Sequence, residues 1–226
     1  MTPETERPST FAPLGPGVIL DRDGTLIDVV RDEETGTVSV AFHPDQLRLL
    51  PGVVEGLRAL AAAGYGFAIA SNQPGPAKGQ YSALAVERTN RALVDLLAAS
   101  GITVAVVEVC LHHPVGGPGG DARWVGDCSC RKPKPGLLLN AMARAHFEPA
   151  RTWMLGDSAA DVTAARAAHV RAALVFPTNR CEICPLRAGP SVTPDLVSAR
   201  FDELAEAIIE ADRVAERARE SGLLQA

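Results

Sequence analysis

Apolar residues fall in two kinds of run along this chain. Val18–Leu20, Gly66–Ala70, Thr103–Val109, Thr152–Leu155 and Ala172–Phe176 are short and nearly unbroken, as expected of strands covered on both faces. Between them the apolar positions recur at helical spacing. Val53, Val54, Leu57, Leu60 and Ala61 run up to a stop at Gly64, and Gln80–Ser100 ends at Gly101. Pro135–Phe147 and the alanine-rich Ser158–Ala168 follow. Alternating strands and helices predict an α/β fold, a Rossmann-like three-layer sandwich with a mostly parallel central sheet.

The remaining segments set the organisation. Residues 1–17 carry Pro3, Pro8, Pro13 and Pro16 among small and polar residues and read as a flexible arm. Asp28–Pro51 is a long connection in which Glu33-Glu34-Thr35-Gly36-Thr37 makes a turn between short extended pieces beside the site mouth. Phe201–Arg219 is a terminal amphipathic helix with a solvated charged face. We therefore expect an arm at 1–17, one domain over 18–190 containing a special loop at 110–130, and a helical segment over 191–226 packed on that domain.

Composition narrows the function. The chain has 226 residues, 46% of them apolar, enough for one sizeable core. Its net charge of -5 is spread without a long run of either sign, so the footprint of a general nucleic-acid binder is missing. No apolar stretch approaches the ~20 residues that span a bilayer, and the polar amino terminus lacks a signal-peptide core. The expected compartment is the cytoplasm and the expected state a monomer, since nothing suggests an extended apolar interface. Four of the five cysteines sit in two close pairs, which in a reducing compartment favours metal over disulfides.

The first strand runs directly into Asp21-Arg22-Asp23-Gly24-Thr25. Ligands of open α/β sheets gather beyond the carboxyl ends of the strands, and a spacing of two points Asp21 and Asp23 to one side. One carboxylate could attack while the other moves a proton, with Mg²⁺ offsetting their repulsion. A surface Asp-x-Asp-Gly turn would look the same in isolation. The other strand ends repeat the signal. Ser71-Asn72-Gln73-Pro74-Gly75 offers a hydroxyl and amides for phosphate oxygens, and Gly156-Asp157-Ser158 offers a further carboxylate for an Mg²⁺ oxygen shell. Helix capping is the plainer role for Asp157, and Asp161, one turn on, would gain from the helix dipole in any case.

Cys110-Leu111-His112-His113 and, after a glycine-rich loop, Cys128-Ser129-Cys130 match the ligand arithmetic of a closed tetrahedral Zn²⁺ site. Three thiolates and one imidazole leave no open position, so this zinc would be structural; the symmetry of two x-spaced pairs points to His112. Arg131-Lys132-Pro133-Lys134 comes next, and the loop would aim these cations: a fixed lysine offsets phosphoryl charge and an arginine fork holds a phosphate or hydroxyl. Cys181 and Cys184 cannot close a tetrahedral site by themselves. They could sit reduced, pair with each other, or recruit a partner's ligands.

Asp21-x-Asp23-Gly24-Thr25, Ser71, Lys132 and Gly156-Asp157 resemble, in that order, the four motifs of the haloacid dehalogenase superfamily of phosphotransferases, over roughly residues 18–176. Within it, Ser71–Gly75 and the stretch Cys110-x-His112 with Cys128-x-Cys130-Arg131-Lys132-Pro133 are similar to the D-glycero-D-manno-heptose 1,7-bisphosphate 7-phosphatases, which implies a zinc-stabilised loop and no large cap domain. The resemblance implies that Asp21 is a nucleophile forming an aspartyl-phosphate, Asp23 the acid/base, and Ser71 and Lys132 the groups that steady the phosphoryl. It further implies Mg²⁺ on Asp21, the Asp23 carbonyl and Asp157, substrate recognition by Asn72, Gln73 and Arg131, and Zn²⁺ on Cys110, His112, Cys128 and Cys130. The substrate would be a phosphorylated sugar, in nucleotide-activated heptose biosynthesis. Histidinol phosphatases share the motifs, but the long gap from His112 to Cys128 and Gly75-x-Ala77-Lys78-Gly79 look more like the heptose enzymes. Asp28, Ser158, Lys78 and the extended Asp28–Pro51 connection depart from the heptose pattern. A scaffold on a dead phosphatase fold would be expected to lose one of Asp21, Asp23, Lys132 or Asp157. A polynucleotide-end phosphatase would need a basic, aromatic-studded groove.

Overall fold

The computed structural model describes residues 15–32, 34, 36–176 and 192–221. Residues 1–14 of the expected arm, Cys181 and Cys184, Glu33 and Thr35 of the turn, and residues 222–226 lie outside them.

Six strands form one sheet in the order β5-β4-β1-β6-β7-β8, every neighbouring pair parallel. They are β1 (Gly15–Leu20), β4 (Gly66–Asn72), β5 (Val104–Cys110), β6 (Phe147–Gly156), β7 (Arg171–Val175) and β8 (Leu196–Ser198). A separate antiparallel hairpin, β2 (Val30–Arg31) with β3 (Val38–Ser39), supplies the extended pieces of the long connection. The described residues also form six α-helices: α1 (Val53–Ala62), α2 (Gly75–Lys78), α3 (Ala83–Ala99), α4 (Gly136–Ala145), α5 (Ala159–Ala167) and α6 (Phe201–Glu220).

Strand alternation divides the interior into two layers of core. Val18, Leu20, Phe67, Ile69, Trp153 and Leu155 face Leu57 and Leu60 of α1, Leu93 and Leu97 of α3, and Phe201, Leu204 and Ile208 of α6. Ile19, Ala68, Ala70 and Met154 face Leu137, Leu138 and Ala141 of α4 and Val162 and Ala165 of α5. The result is the three-layer sandwich, with α1, α3 and α6 covering one sheet face and α4 and α5 the other. Apolar burial of this kind stabilises by about 25 cal/mol per Å² and carries most of the fold.

Several boundaries differ from the sequence pattern. β1 begins at Gly15, inside the expected arm, because Gly15 already pairs with Phe147. The helix expected to reach Phe147 stops at Ala145, where His146 turns into the left-handed region at φ 55, and β6 starts immediately after it. α2, a single turn, rises from the expected loop after β4. Ala172–Phe176 is not the last strand: β8 follows, anchored by Asp195, whose N–H donates to Ala172 O and whose carboxylate accepts from Ala172 N.

The chain order leaves the sheet from β1 through β4 to β5, then crosses back to β6 on the other side of β1. That reversal lies between β1 and β6, and crevices at such a switch point are where doubly wound sheets bind ligands. The sequence places Asp21 and Asp157 there.

Candidate active site

Asp21 follows β1 and is anchored by its own N–H donating to Leu155 O of β6 at 2.9 Å. Its carboxylate accepts from Lys132 Nζ at 2.6 Å, and the same ammonium donates to Ala70 O at 2.8 Å and pairs with Asp161 at 2.6 Å. Lys132 is delivered from the far side of the sheet because Asn72 grips its backbone, donating to Lys132 O at 2.9 Å and accepting from Lys132 N at 3.1 Å. Asp157 follows β6 and lies over Gly24. A Cβ on Gly24, at φ +84, would sit 2.0 Å from Asp157 Oδ2, so only glycine leaves room for the two turns to meet.

Charge in this cluster is unbalanced. The carboxylates of Asp21, Asp157 and Asp161 have oxygens within 4.8 Å of one another, against one ammonium. Burial raises Asp21 to about 6; Lys132 opposes this, and the Asp161 and Asp23 charges add to it. Burial, then the Asp21 and Asp161 charges, raise Asp157 well above the usual carboxylate range. Burial works against the Lys132 ammonium too, but Asp161 and Asp21 outweigh it and hold the proton on more tightly than usual. A divalent cation fits such a donor set, since hard oxygen ligands with surplus negative charge are what Mg²⁺ requires. Asp161 has both oxygens engaged, one with Lys132 and one with the Ser158 hydroxyl at 2.5 Å, so Asp21 and Asp157 are the pair better able to hold an ion.

Asp23, two residues after Asp21, takes four donors. Arg22 Nε and Nη2 reach it at 2.9 and 3.2 Å, Ala41 N at 3.2 Å and Gln73 Nε2 at 2.6 Å. Ser71, almost fully buried, accepts from Gln73 at 2.9 Å. Tyr81 donates to Gln73 Oε1 at 3.2 Å and stacks on Phe42 with ring centroids 5.2 Å apart. These rings, with Val29, Val38 and Val40 of the hairpin arm, wall a cleft of about 460 Å³ whose floor includes Asp23 and Asp157. A groove of about 500 Å³ between α3 and β5 contains none of the four aspartates, so the chemistry belongs to the strand-end cleft.

Three residues expected to meet substrate have other partners. The Asn72 side chain is occupied by the backbone of Lys132, Gln73 is wholly buried among Asp23, Ser71 and Tyr81, and half-buried Arg131 donates to His112 O at 3.4 Å. Polar side chains that follow a strand end are legible in the sequence, but whether they face inward is decided by the return of a distant segment. Arg22, Asn90, Tyr81 and Asp161 are the polar groups that the sequence pattern did not single out firmly. The signal for Arg22 was its place between the two aspartates.

The cysteine cluster closes as the spacing implied. β5 runs one residue further than expected and ends on buried Cys110, whose Sγ lies 2.9 Å from Cys130 Sγ, 3.7 Å from Cys128 Sγ and 3.8 Å from His112 Nδ1. Sulfurs on a tetrahedral zinc at about 2.3 Å are about 3.8 Å apart, which the Cys110–Cys128 separation of 3.7 Å meets, while the Cys110–Cys130 pair would open to admit the ion; three thiols and an imidazole are the donor types that zinc takes. Burial and the Cys130 contact push the Cys110 thiol up, so three thiolates here need a cation to ionise together. His113 turns away onto its own loop, with Nδ1 2.6 Å from Val115 O. The glycine-rich loop then lies on α2: Gly117 N and Asp121 N donate to Ala77 O and Pro76 O.

Comparison with known proteins agrees with this geometry. The chain belongs to the haloacid dehalogenase-like hydrolases, whose family model matches residues 29–169. It is an enzyme, a phosphoric monoester hydrolase. A curated relative from Rhodopseudomonas palustris, D-glycero-beta-D-manno-heptose-1,7-bisphosphate 7-phosphatase, is 37% identical over 159 residues, 70% of this chain and 82% of the relative. The protein of the same name from Escherichia coli K12 is 30% identical over 184 residues, 81% of this chain and 85% of the relative. The crystal structure of D,D-heptose 1,7-bisphosphate phosphatase from B. bronchiseptica, complexed with magnesium and phosphate, superposes with TM-score 0.67 at 26% identity, covering 87% of this chain and 99% of that one. No helix among the described residues is long and apolar enough to cross a membrane.

Proposed function

We propose that this phosphatase removes the 7-phosphate of D-glycero-β-D-manno-heptose 1,7-bisphosphate, a step in nucleotide-activated heptose biosynthesis, in the cytoplasm and as a monomer. The observation that carries the reading is the coincidence of the Asp21–Asp23–Lys132–Asp157 cluster with the zinc-type loop in a chain whose curated relatives bear that substrate in their names. The β anomer is favoured for the same reason.

In this mechanism an Asp21 carboxylate oxygen attacks phosphorus, the bond from phosphorus to the sugar oxygen breaks, and Asp23 gives its proton to that oxygen as it leaves. Asp23 then takes a proton from water, the hydroxide attacks the phosphorus of the aspartyl-phosphate, and Asp21 is released with inorganic phosphate. Lys132 is placed to offset charge on the transferring group, its ammonium being held between Asp21 and Asp161. Ser71, whose hydroxyl oxygen accepts from Gln73, keeps its own O–H to donate to a phosphoryl oxygen. Mg²⁺ held by Asp21, the Asp23 carbonyl and Asp157 would supply neutralisation of the surplus carboxylate charge and of the phosphoryl oxygens. Zn²⁺ on Cys110, His112, Cys128 and Cys130 would fix the loop that brings Lys132 and Arg131 to the strand ends. Arg131 reaches a second phosphate by releasing a single long hydrogen bond.

The test is phosphate release with Mg²⁺ from both anomers of heptose 1,7-bisphosphate, fructose 1,6-bisphosphate and histidinol phosphate, compared by kcat/KM. The β-anomer is expected to lead by at least about tenfold, and dominant turnover of histidinol phosphate would overturn the assignment.

A further inference from the structure

Arg22 is among the largest wholly buried side chains of the protein, at 0% exposure, although its neighbours Asp21 and Asp23 carry the chemistry. Every nitrogen of its guanidinium is spent. Nε and Nη2 take the two oxygens of Asp23, Nη2 also donates to Ala41 O at 2.6 Å, and Nη1 donates to Asn90 Oδ1 at 2.6 Å. Asn90 belongs to α3 and is only 8% exposed. The buried face of that helix reads Val86, Thr89, Asn90, Leu93, Leu97; Thr89 satisfies its hydroxyl within the helix on Ala85 O, whereas the Asn90 amide reaches across to Arg22 at a position where packing alone would ask for an apolar residue. An amide placed against that local rule marks a functional demand.

The geometry says what the demand is. Asp23 comes just before Gly24 and lines the cleft. Ala41 N and Gln73 Nε2 each give its carboxylate one bond, whereas the planar fork of Arg22 gives it two parallel ones, which fix orientation as well as position. The fork needs its own anchor, which comes from Asn90 on one side and Ala41 on the other. Ala41 N also donates to Asp23, so the hairpin arm over the cleft is fastened to the same carboxylate. A lysine at position 22 could make one of these contacts but not the set.

We infer that Arg22 and Asn90 are positioning residues for Asp23, aiming its carboxyl at the leaving-group oxygen through the chain Asn90–Arg22–Asp23. The inference rests on the acid/base role proposed above for Asp23.

Leaving-group dependence separates positioning from mere stability. The kcat/KM value covers the steps through phosphoryl transfer to Asp21. In those steps a sugar alkoxide needs the Asp23 proton, whereas p-nitrophenolate leaves without it. In Asn90→Leu the kcat/KM for a sugar bisphosphate is expected to fall by about 30-fold, a part of the ordinary contribution of a general acid, while that for p-nitrophenyl phosphate changes less than about threefold. Asn90→Asp, which keeps an acceptor oxygen for Nη1, should restore most of the ratio, and Arg22→Lys gives the same discrimination should Asn90→Leu fail to fold. Equal losses on both substrates, or no loss on either, overturn the inference while leaving the phosphatase reading intact. Wild type inactive on both substrates with Mg²⁺ overturns the phosphatase reading and this inference with it.

Discussion

Replacing Asp21 by asparagine should stabilise the metal-free protein while abolishing its activity. In the folded chain burial and neighbouring carboxylates move Asp21 from 3.8 to about 6 even after the opposing effect of Lys132. A displacement of that size corresponds to about 3 kcal/mol against the charged form once the pH is above 6. The sign follows from the direction. With the folded value raised, the folded state holds the proton more tightly, so the cost is absent below about pH 4 and complete above about pH 6. Asparagine has the same shape and no charge, and Lys132 keeps Asp161 and Ala70 O as partners. Because the groups are tightly coupled, we expect about 1–3 kcal/mol at pH 7.5 in EDTA, or ~3–9 °C in Tm for a chain of this size. At pH 4.5 the wild type and variant should differ by less than ~1 kcal/mol. Adding Mg²⁺ should raise the Tm of the wild type more than that of the variant, because the ion offsets in the native protein the repulsion that the substitution has already removed. Thermal unfolding by circular dichroism over this pH range, with and without Mg²⁺, makes the measurement. A variant less stable than wild type at pH 7.5, or a gap that widens on acidification, refutes the reading of the cluster as a site built at the expense of stability.

Gly24→Ala should cost more than ~2 kcal/mol and reduce kcat at least about 100-fold, since the new Cβ meets Asp157 at 2.0 Å in a backbone conformation that disfavours any side chain; unfolding in urea and phosphate release check both. Purified protein should contain one zinc per chain by elemental analysis, and Cys128→Ser should lose it and expose residues 110–130 to limited proteolysis; two zinc ions per chain would instead bring in Cys181 and Cys184.

The strand ends were legible because they combine two local signals, an unbroken apolar run and an abrupt polar residue. Val18–Leu20 followed by Asp21, and Trp153–Leu155 followed by Gly156-Asp157, need no knowledge of the rest of the chain to be read. The zinc-type loop was legible for a similar reason, since ligand spacing is a property of sequence, and the symmetry of the two x-spaced pairs pointed to His112, which the fold brings into the cluster. The boundaries that escaped reading have conformations that their residue types do not announce. His146 ends α4 with a positive φ that usually belongs to glycine, and β8 is three residues long with Val197 61% exposed, too short and too open for any period to appear.

The internal wiring of the site was the least legible part, because it depends on groups brought together across the chain. Arg22 reads from sequence as the variable residue between two aspartates, and its alternation with them predicts a side chain pointing away from the chemistry. Its guanidinium instead curls back onto Asp23 and reaches across to α3, wholly buried. Burying a guanidinium requires acceptors around it, and besides Asp23 those come from residues 19 and 68 positions downstream, Ala41 and Asn90. Asn72 and Gln73 follow the same logic: the family resemblance implies that they contact substrate, and each holds a partner that only the folded chain supplies, the Lys132 backbone for Asn72 and Asp23 for Gln73. Buried polar residues that interrupt an apolar stripe, as Asn90 does on α3, are therefore the sequence feature that marks such wiring, and in this protein the interruption leads directly to the carboxylate proposed to move the proton.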